Sequence, residues 1–216
     1  MESSIHNQIE NAILSLKPGT IIFPQDFIDL GSSDAVKKTL SRLEKKGIIL
    51  RLGRGIYLYP KKDILLGTVY PSIDSIAEAI AKRDKARIIP TGVLALQKLG
   101  LSTQVPMKVV FLTDGTARQI RLRNQTITFK KTNPKNLSIQ GKLIGLIIQA
   151  MKELGKKSTT TNDLYKKIQE MLANEDPEII QEDIKLAPIW IRKLLLPTIK
   201  KNQNDRLVSA SYRTKN

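Results

Sequence analysis

Near the N-terminus, apolar residues recur every three or four positions in two separate segments, and this spacing predicts two amphipathic helices. Ser32 or Ser33 is the expected N-cap of the later helix, and Gly47 follows its end. Between the two helices, a short apolar run and a segment that starts with a proline predict a strand and a further short helix. The apolar positions of the two amphipathic helices are Ile5, Ile9, Ile13, Leu16, Val36, Leu40 and Leu43.

A β-prone stretch interrupted by two glycines follows the later helix. Its apolar runs at residues 48–50 and 56–59 predict two strands joined by a tight turn. We expect Gly53 and Gly55 to allow positive φ and a close approach to a phosphate, with the cation Arg54 at the tip. Three helices followed by a hairpin are typical of a winged helix-turn-helix, which we predict over residues 1–62. In such a domain the third helix enters the major groove of DNA, and the hairpin is the wing.

The distribution of charge favours DNA as the partner of this domain. The chain carries 36 Lys and Arg against 20 Asp and Glu, a net charge of +16, which implies an anionic partner. Two regions are strongly basic: residues 32–54, with seven cations and two acids, and residues 82–135, with twelve cations and two acids. A solvated helix face or a protein-binding winged helix is the alternative interpretation of the first region. The predicted DNA-binding residues are Ser33, Lys37, Lys38, Ser41, Arg42, Lys45, Arg51 and Arg54.

The second half of the chain predicts a separate domain, which makes the whole protein α+β. Pro60 and Pro71 bracket the expected boundary, so we assign the second domain to residues 70–201 and a flexible, polar tail to residues 202–216. The pattern predicts a helix capped by Ser72, a further helix, an apolar strand, a β-hairpin and several helices. The outward face of that hairpin is either a solvated surface or a docking site for an anionic partner, formed by Arg121, Arg123 and Lys130.

Several function classes are disfavoured by the residues that the sequence lacks. There is no cysteine, and His6 is the single histidine, so thiol chemistry, zinc–thiolate sites and imidazole-based triads are excluded. No dinucleotide or P-loop motif is present, and Asp114 has no companion carboxylates at the spacing of metal ligands. We therefore expect no enzymatic activity, no cofactor and no metal. Since no apolar run reaches about 18 residues and no secretory leader is visible, we expect a cytoplasmic protein.

Two segments of the chain resemble AbiEi-type antitoxins of bacterial abortive infection systems, which are type IV toxin–antitoxin systems. The segment from residue 90 to 115, PTGVLALQKLGLSTQVPMKVVFLTDG, is similar to the start of that family's C-terminal domain. The resemblance covers about residues 1–135 and is looser beyond them. The join between recognition helix and wing resembles the family's pattern at Leu40, Leu43, Gly47, Arg54, Gly55 and Tyr57.

The resemblance implies an antitoxin that represses its own operon through its N-terminal domain and counteracts a nucleotidyltransferase-like toxin through its C-terminal domain. We accordingly expect double-stranded DNA, in the form of an inverted-repeat operator, and a cognate toxin as partners. The alternative is a ligand-responsive winged-helix repressor that has no toxin partner. An RNA-binding module is less favoured, because aromatic residues make up only 5% of the chain and the ribonucleoprotein-type aromatic pattern is missing.

Overall fold

The computed structural model describes residues 4–122, 125–159, 162–173 and 175–199. Helices and small sheets alternate along these residues, which confirms the α+β class. Arg123 and the predicted tail at residues 202–216 lie outside the described part of the chain.

The chain divides into two compact units whose limits differ from the predicted domains. The first unit comprises Met1–Asp84 together with Gln119–Ile127, and the second comprises Lys85–Arg118 together with Thr128–Asn216. The predicted boundary between residues 62 and 70 therefore falls inside the first unit, which also takes in part of the hairpin that was assigned to the second domain.

Both predicted serine caps in the first unit are confirmed. Ser32 accepts a hydrogen bond from the backbone N–H of Ala35 at 3.3 Å, and Ser72 accepts one from the N–H of Ser75 at 3.1 Å. Each cap contributes about 1 kcal/mol to the stability of its helix. The elements of the unit are α1 (Ile5–Leu14), β1 (Ile21–Ile22), a 3-10 helix (Pro24–Leu30), α2 (Ser33–Lys45), β2 (Leu50–Gly53), β3 (Ile56–Leu58), β4 (Lys61–Asp63), β5 (Gly67–Val69) and α3 (Ile73–Arg83).

The core of the first unit lies between its first helices and a small sheet. Strands β1, β3 and β2 form an antiparallel sheet in that order, with Ile21 opposite Leu58 and Arg51 opposite Tyr57. Ile9 and Ile13 of α1 pack into one buried cluster with Val36, Leu40 and Leu43 of α2. Since burial of one such aliphatic side chain is worth about 1.5–3 kcal/mol, this packing fixes which face of α2 is left to the solvent.

Residues 60–71, which the sequence predicted as a boundary, contain a hairpin instead. Strands β4 and β5 pair antiparallel, and the Asp63 carboxylate accepts hydrogen bonds from the backbone N–H groups of Leu66 at 3.0 Å and Leu65 at 2.9 Å. These two bonds lower the pKa of Asp63. They also hold the turn in a shape that exposes its aliphatic tip, where Ile64, Leu65 and Leu66 are 102%, 92% and 79% exposed.

A four-stranded sheet lies mainly in the second unit, whose helices form a core. The sheet has the order β6-β7-β9-β8, and β6, which the sequence did not predict, is an edge strand that tolerates Pro90 because an edge residue needs no second ladder bond. The helices bury a cluster that includes Ile147, Ile148 and Met151. The elements are β6 (Ile88–Thr91), α4 (Val93–Lys98), β7 (Lys108–Thr113), β8 (Arg118–Arg121), β9 (Thr126–Lys131), a 3-10 helix (Pro134–Leu137), α5 (Lys142–Thr159), α6 (Asn162–Ala173), α7 (Pro177–Ile184) and α8 at residues 189–199.

Candidate nucleic-acid interface

The outer face of α2 presents the polar and basic side chains that the sequence predicted for it. Lys37, Lys38, Ser41, Arg42 and Lys45 are all exposed, on the side opposite the buried apolar stripe. Within this face Lys37 lies 3.7 Å from the Asp34 carboxylate, and both side chains are largely in solvent. An exposed ion pair of this kind contributes less than about 1 kcal/mol, so Lys37 can exchange Asp34 for an anion that binds it more tightly.

The hairpin formed by β2 and β3 carries the next two predicted cations. Arg51 and Arg54 are exposed, and Gly55 has φ +69°, a left-handed conformation that other residues rarely adopt. The reason given for Gly53 was wrong, because the positive-φ residues of the described chain do not include it.

Gly53 lies in a tightly packed contact. A Cβ atom at Gly53 would lie 3.0 Å from the backbone carbonyl oxygen of Arg121 and 3.4 Å from Cδ2 of Leu122. The glycine thus allows the β2–β3 hairpin to lie directly against residues 120–122 within the first unit.

A cavity of about 510 Å³ joins the N-terminal part of α2 to this hairpin. Four cations line it, and no acidic side chain does. Four of the eight predicted DNA-binding residues, Ser33, Lys37, Arg51 and Arg54, meet at this cavity. The complete lining is Pro24, Gln25, Ile28, Ser33, Val36, Lys37, Arg51, Arg54, Gly55, Tyr57 and Arg83.

The electrostatics of this basic cavity favour an anion. Burial raises the pKa of the Tyr57 hydroxyl, and the nearby charge of Arg51 opposes that rise only in part. Tyr57 therefore stays neutral near pH 7 and adds no negative charge to the cavity. The guanidinium of Arg83 lies 4.6 Å from the centroid of the Phe23 ring, and its Nε donates to Asp84 at 2.8 Å.

The basic cavity leaves out some predicted residues and adds others. Lys38, Ser41, Arg42 and Lys45 extend the exposed face of α2 beyond its rim. Sequence reasoning missed Gln25, Ile28 and Arg83 as lining residues. The signal that could have pointed to Arg83 was its place at the start of the second basic region. That signal was not sufficient, because no local pattern reveals where the helix that ends with Arg83 lies in space.

The residues predicted as a partner-docking face of the second domain do not share one unit. Arg121 belongs to the first unit and is exposed there, close to the β2–β3 hairpin. Lys130 is exposed in the second unit, and Arg123 lies outside the described residues.

Asp114 in the second unit has a structural role. Its carboxylate accepts hydrogen bonds from the backbone N–H and from Nε of Arg87, both at 2.8 Å. The first of these bonds, together with the second, lowers the pKa of Asp114. Among the described residues, no three His, Cys, Asp or Glu side chains are grouped so that they could hold a metal ion. Over the same residues, every helix is too short or too polar to cross a membrane.

Comparisons with known proteins identify a family and similar solved structures. The model described as "Family of unknown function (DUF6088)" matches residues 8–180. No curated protein matches the sequence significantly. The crystal structure of RV2827C protein from Mycobacterium tuberculosis is similar with a TM-score of 0.50 at 10% sequence identity, over 93% of this chain and 78% of that chain. At this identity the likeness concerns the fold alone.

Proposed function

We propose that this chain, which belongs to the family DUF6088, is a DNA-binding transcriptional regulator whose first unit contains a winged helix-turn-helix. Helix α2 would be the recognition helix and the β2–β3 hairpin would be the wing. The observation that carries the proposal is the basic cavity between them, which has four cations and no acid in its lining.

The chemistry of this surface matches duplex DNA better than it matches a protein partner. Phosphates need exposed cations, and Arg51 and Arg54 meet this requirement with no acid in the cavity lining, while Lys37 has only a weak, solvent-exposed pair with Asp34. Exposed polar side chains at the N-terminal part of α2, Ser33 and Lys37, have the donors and acceptors that read base edges in a major groove. We propose an inverted-repeat operator in the protein's own promoter as the specific site, reached in the bacterial cytoplasm.

The test compares two double charge reversals in the full chain. Lys37→Glu with Arg42→Glu should weaken binding to duplexes from the protein's own promoter by more than about tenfold, because each reversal adds repulsion from a phosphate. Lys108→Glu with Lys135→Glu changes the net charge equally on exposed positions of the second unit and should have little effect. Equal losses in the two variants, measured by fluorescence anisotropy, would show that only overall charge matters and would overturn the proposal.

For the second unit we propose an antitoxin activity against a nucleotidyltransferase-like toxin encoded beside this gene. This proposal is supported by the resemblance of residues 40–57 and 90–115 to AbiEi-type antitoxins. Expression of the neighbouring nucleotidyltransferase-like reading frame alone should stop growth. Its coexpression with this chain should restore growth. The variant with Lys37→Glu and Arg42→Glu should still restore growth while it fails to repress the promoter. Growth arrest that this chain does not relieve would refute the antitoxin proposal and leave DNA binding intact.

A further inference from the structure

A second and larger cavity lies within the first unit. Its volume is about 690 Å³, and it lies among β1, the β4–β5 hairpin and α3. Phe23 and Asp26 line it, while the intervening Pro24 and Gln25 line the basic cavity. Arg83 lines both. The first turn of the 3-10 helix and one arginine therefore form a wall between the two cavities.

The lining of this second cavity combines positive charge with apolar walls. Lys61, Lys82 and Arg83 contribute three cations, and within the described residues neither lysine forms an ion pair. Asp26 is the single acid of the lining, and its carboxylate accepts the backbone N–H of Phe23 at 2.8 Å. Tyr70 and Pro71 supply flat, largely apolar surface. The volume falls in the range of small-molecule sites, about 300–1,000 Å³.

We propose that this cavity binds a small organic anion with a flat, apolar body, and that the bound anion weakens DNA binding. The cations would hold the charged group, and Tyr70 and Pro71 would cover the flat body. Binding itself does not depend on the proposed function, whereas the regulatory half of the inference rests on it.

Arg83 is the residue that couples the two cavities. Its Nε is paired with Asp84, and the remaining guanidinium N–H groups can donate to an anion in the larger cavity or to a DNA phosphate at the basic cavity. A single side chain cannot serve both anions fully. An occupied ligand site therefore removes one cation from the DNA-binding surface. Because such coupling is reciprocal, DNA must weaken ligand binding by the same factor.

The ligand site is tested first without DNA. Adenosine monophosphate and benzoate, two anions that carry a flat ring, are titrated into the isotope-labelled full chain, and amide chemical shifts are followed by NMR. At least one of them should bind saturably and shift Gly19, Tyr70 and Ala79. Saturation confined to Ser33 and Gly55 would mean that the anion only replaces a phosphate on the DNA surface and would overturn the proposal, as would no saturation by either probe.

Matched variants then tie the binding to this cavity. Lys61→Glu should weaken binding of the probe by about tenfold. Lys62→Glu is the control, because Lys62 is the adjacent exposed residue of the hairpin and lies outside the lining; it should weaken probe binding less than about twofold. Ala79→Leu, which fills space at the wall, should also reduce binding. Equal effects of Lys61→Glu and Lys62→Glu would overturn the assignment to the cavity.

The regulatory half is tested by adding the saturating probe to the protein–DNA complex. The probe should lower the DNA affinity of the wild type about fivefold. It should leave the DNA affinity of the Arg83→Ala variant unchanged. If the wild-type affinity does not change although the probe binds, the ligand site remains and its coupling to DNA is refuted. If the protein binds no DNA at all, the proposed function fails while the NMR titration still decides the ligand site.

Discussion

Gly53 lies against the main chain of Arg121, so closely that a Cβ on the glycine would be 3.0 Å from the Arg121 carbonyl oxygen. The β2–β3 hairpin and residues 120–122, which are far apart in sequence, are thereby packed side by side in the first unit. The contact also brings an exposed arginine next to the predicted wing, where a DNA phosphate would gain a further cation.

Gly53→Ala and Gly55→Ala should destabilise the protein for different reasons. The first inserts a methyl group into a closed contact, which costs about 1–3 kcal/mol and displaces residues 120–122. The second forces alanine into φ +69°, in open space, and costs about 1 kcal/mol without displacing a neighbour. Thermal unfolding measures both losses. Amide shifts of Ile120 and Leu122 should move only in Gly53→Ala, and similar shifts in both variants would contradict the packing explanation.

Binding to promoter DNA should depend steeply on salt. If the basic surface neutralises about six phosphates, log K should fall with log salt at a slope near −5. Anisotropy titrations at several salt concentrations measure the slope. An affinity that does not vary with salt would rule out the phosphate contacts on which the proposed interface depends.

Arg121→Ala should weaken DNA binding, although the sequence predicts its hairpin face as either a solvated surface or a docking site for an anionic partner. Removing one phosphate contact should lower the salt slope by about 0.9, for specific and random duplexes alike. Lys130→Ala is the matched control, since Lys130 is an exposed cation of the same β8–β9 hairpin that belongs to the second unit. If Lys130→Ala reduces the slope as much as Arg121→Ala does, the effect of Arg121 cannot be attributed to its contact with the β2–β3 hairpin.

Residues near the start of α2 should affect sequence preference more than total affinity. Ser33→Ala and Lys37→Ala should relax discrimination between operator and random DNA by about 1–3 kcal/mol, because they remove donors that can reach base edges. Lys45→Ala, at the other end of the same exposed face, should weaken both kinds of DNA equally. Competition assays with operator and random duplexes separate the two effects, and an unchanged specificity ratio in Lys37→Ala would count against α2 as the recognition helix.

Asp114→Asn should destabilise the second unit near neutral pH and much less in acid. The hydrogen bonds from Arg87 lower the pKa of Asp114 in the folded state, so their stabilisation is present above the carboxyl's usual pKa of 3.8 and is lost as the pH falls through the lower folded-state value. The difference in melting temperature between wild type and Asp114→Asn should therefore shrink below about pH 3. A difference that stays constant with pH would show that the charge of Asp114 contributes nothing.

Local patterns predicted the elements that depend on local contacts. The helical spacing of apolar residues located α1 and α2. The caps were narrowed to Ser32 or Ser33 for α2 and to Ser72 for α3, because capping involves only the next few residues. The alternation around the β8–β9 hairpin also separated the buried Ile127 and Phe129 from the exposed Arg121 and Lys130.

The misses arise from contacts between distant parts of the chain. Strand β6 contains Pro90, which argues against a strand unless its edge position is known. In the β4–β5 hairpin most aliphatic residues occupy the turn, and Val69 is the single aliphatic residue of the two strands, so the pattern resembled a linker. The assignment of residues 119–127 to the first unit, and the place of Arg83 between two cavities, depend on tertiary packing that no window of sequence contains.

The exposed aliphatic tip of the β4–β5 hairpin should affect the self-association of the purified protein. Electrostatic repulsion between molecules of charge +16 reaches about 10 Å at 0.1 M salt and shrinks to about 3 Å at 1 M. High salt should therefore let Ile64, Leu65 and Leu66 of neighbouring molecules meet. Purified, DNA-free protein should cluster reversibly in concentrated salt and disperse on dilution, the reverse of the low-salt precipitation common among basic proteins.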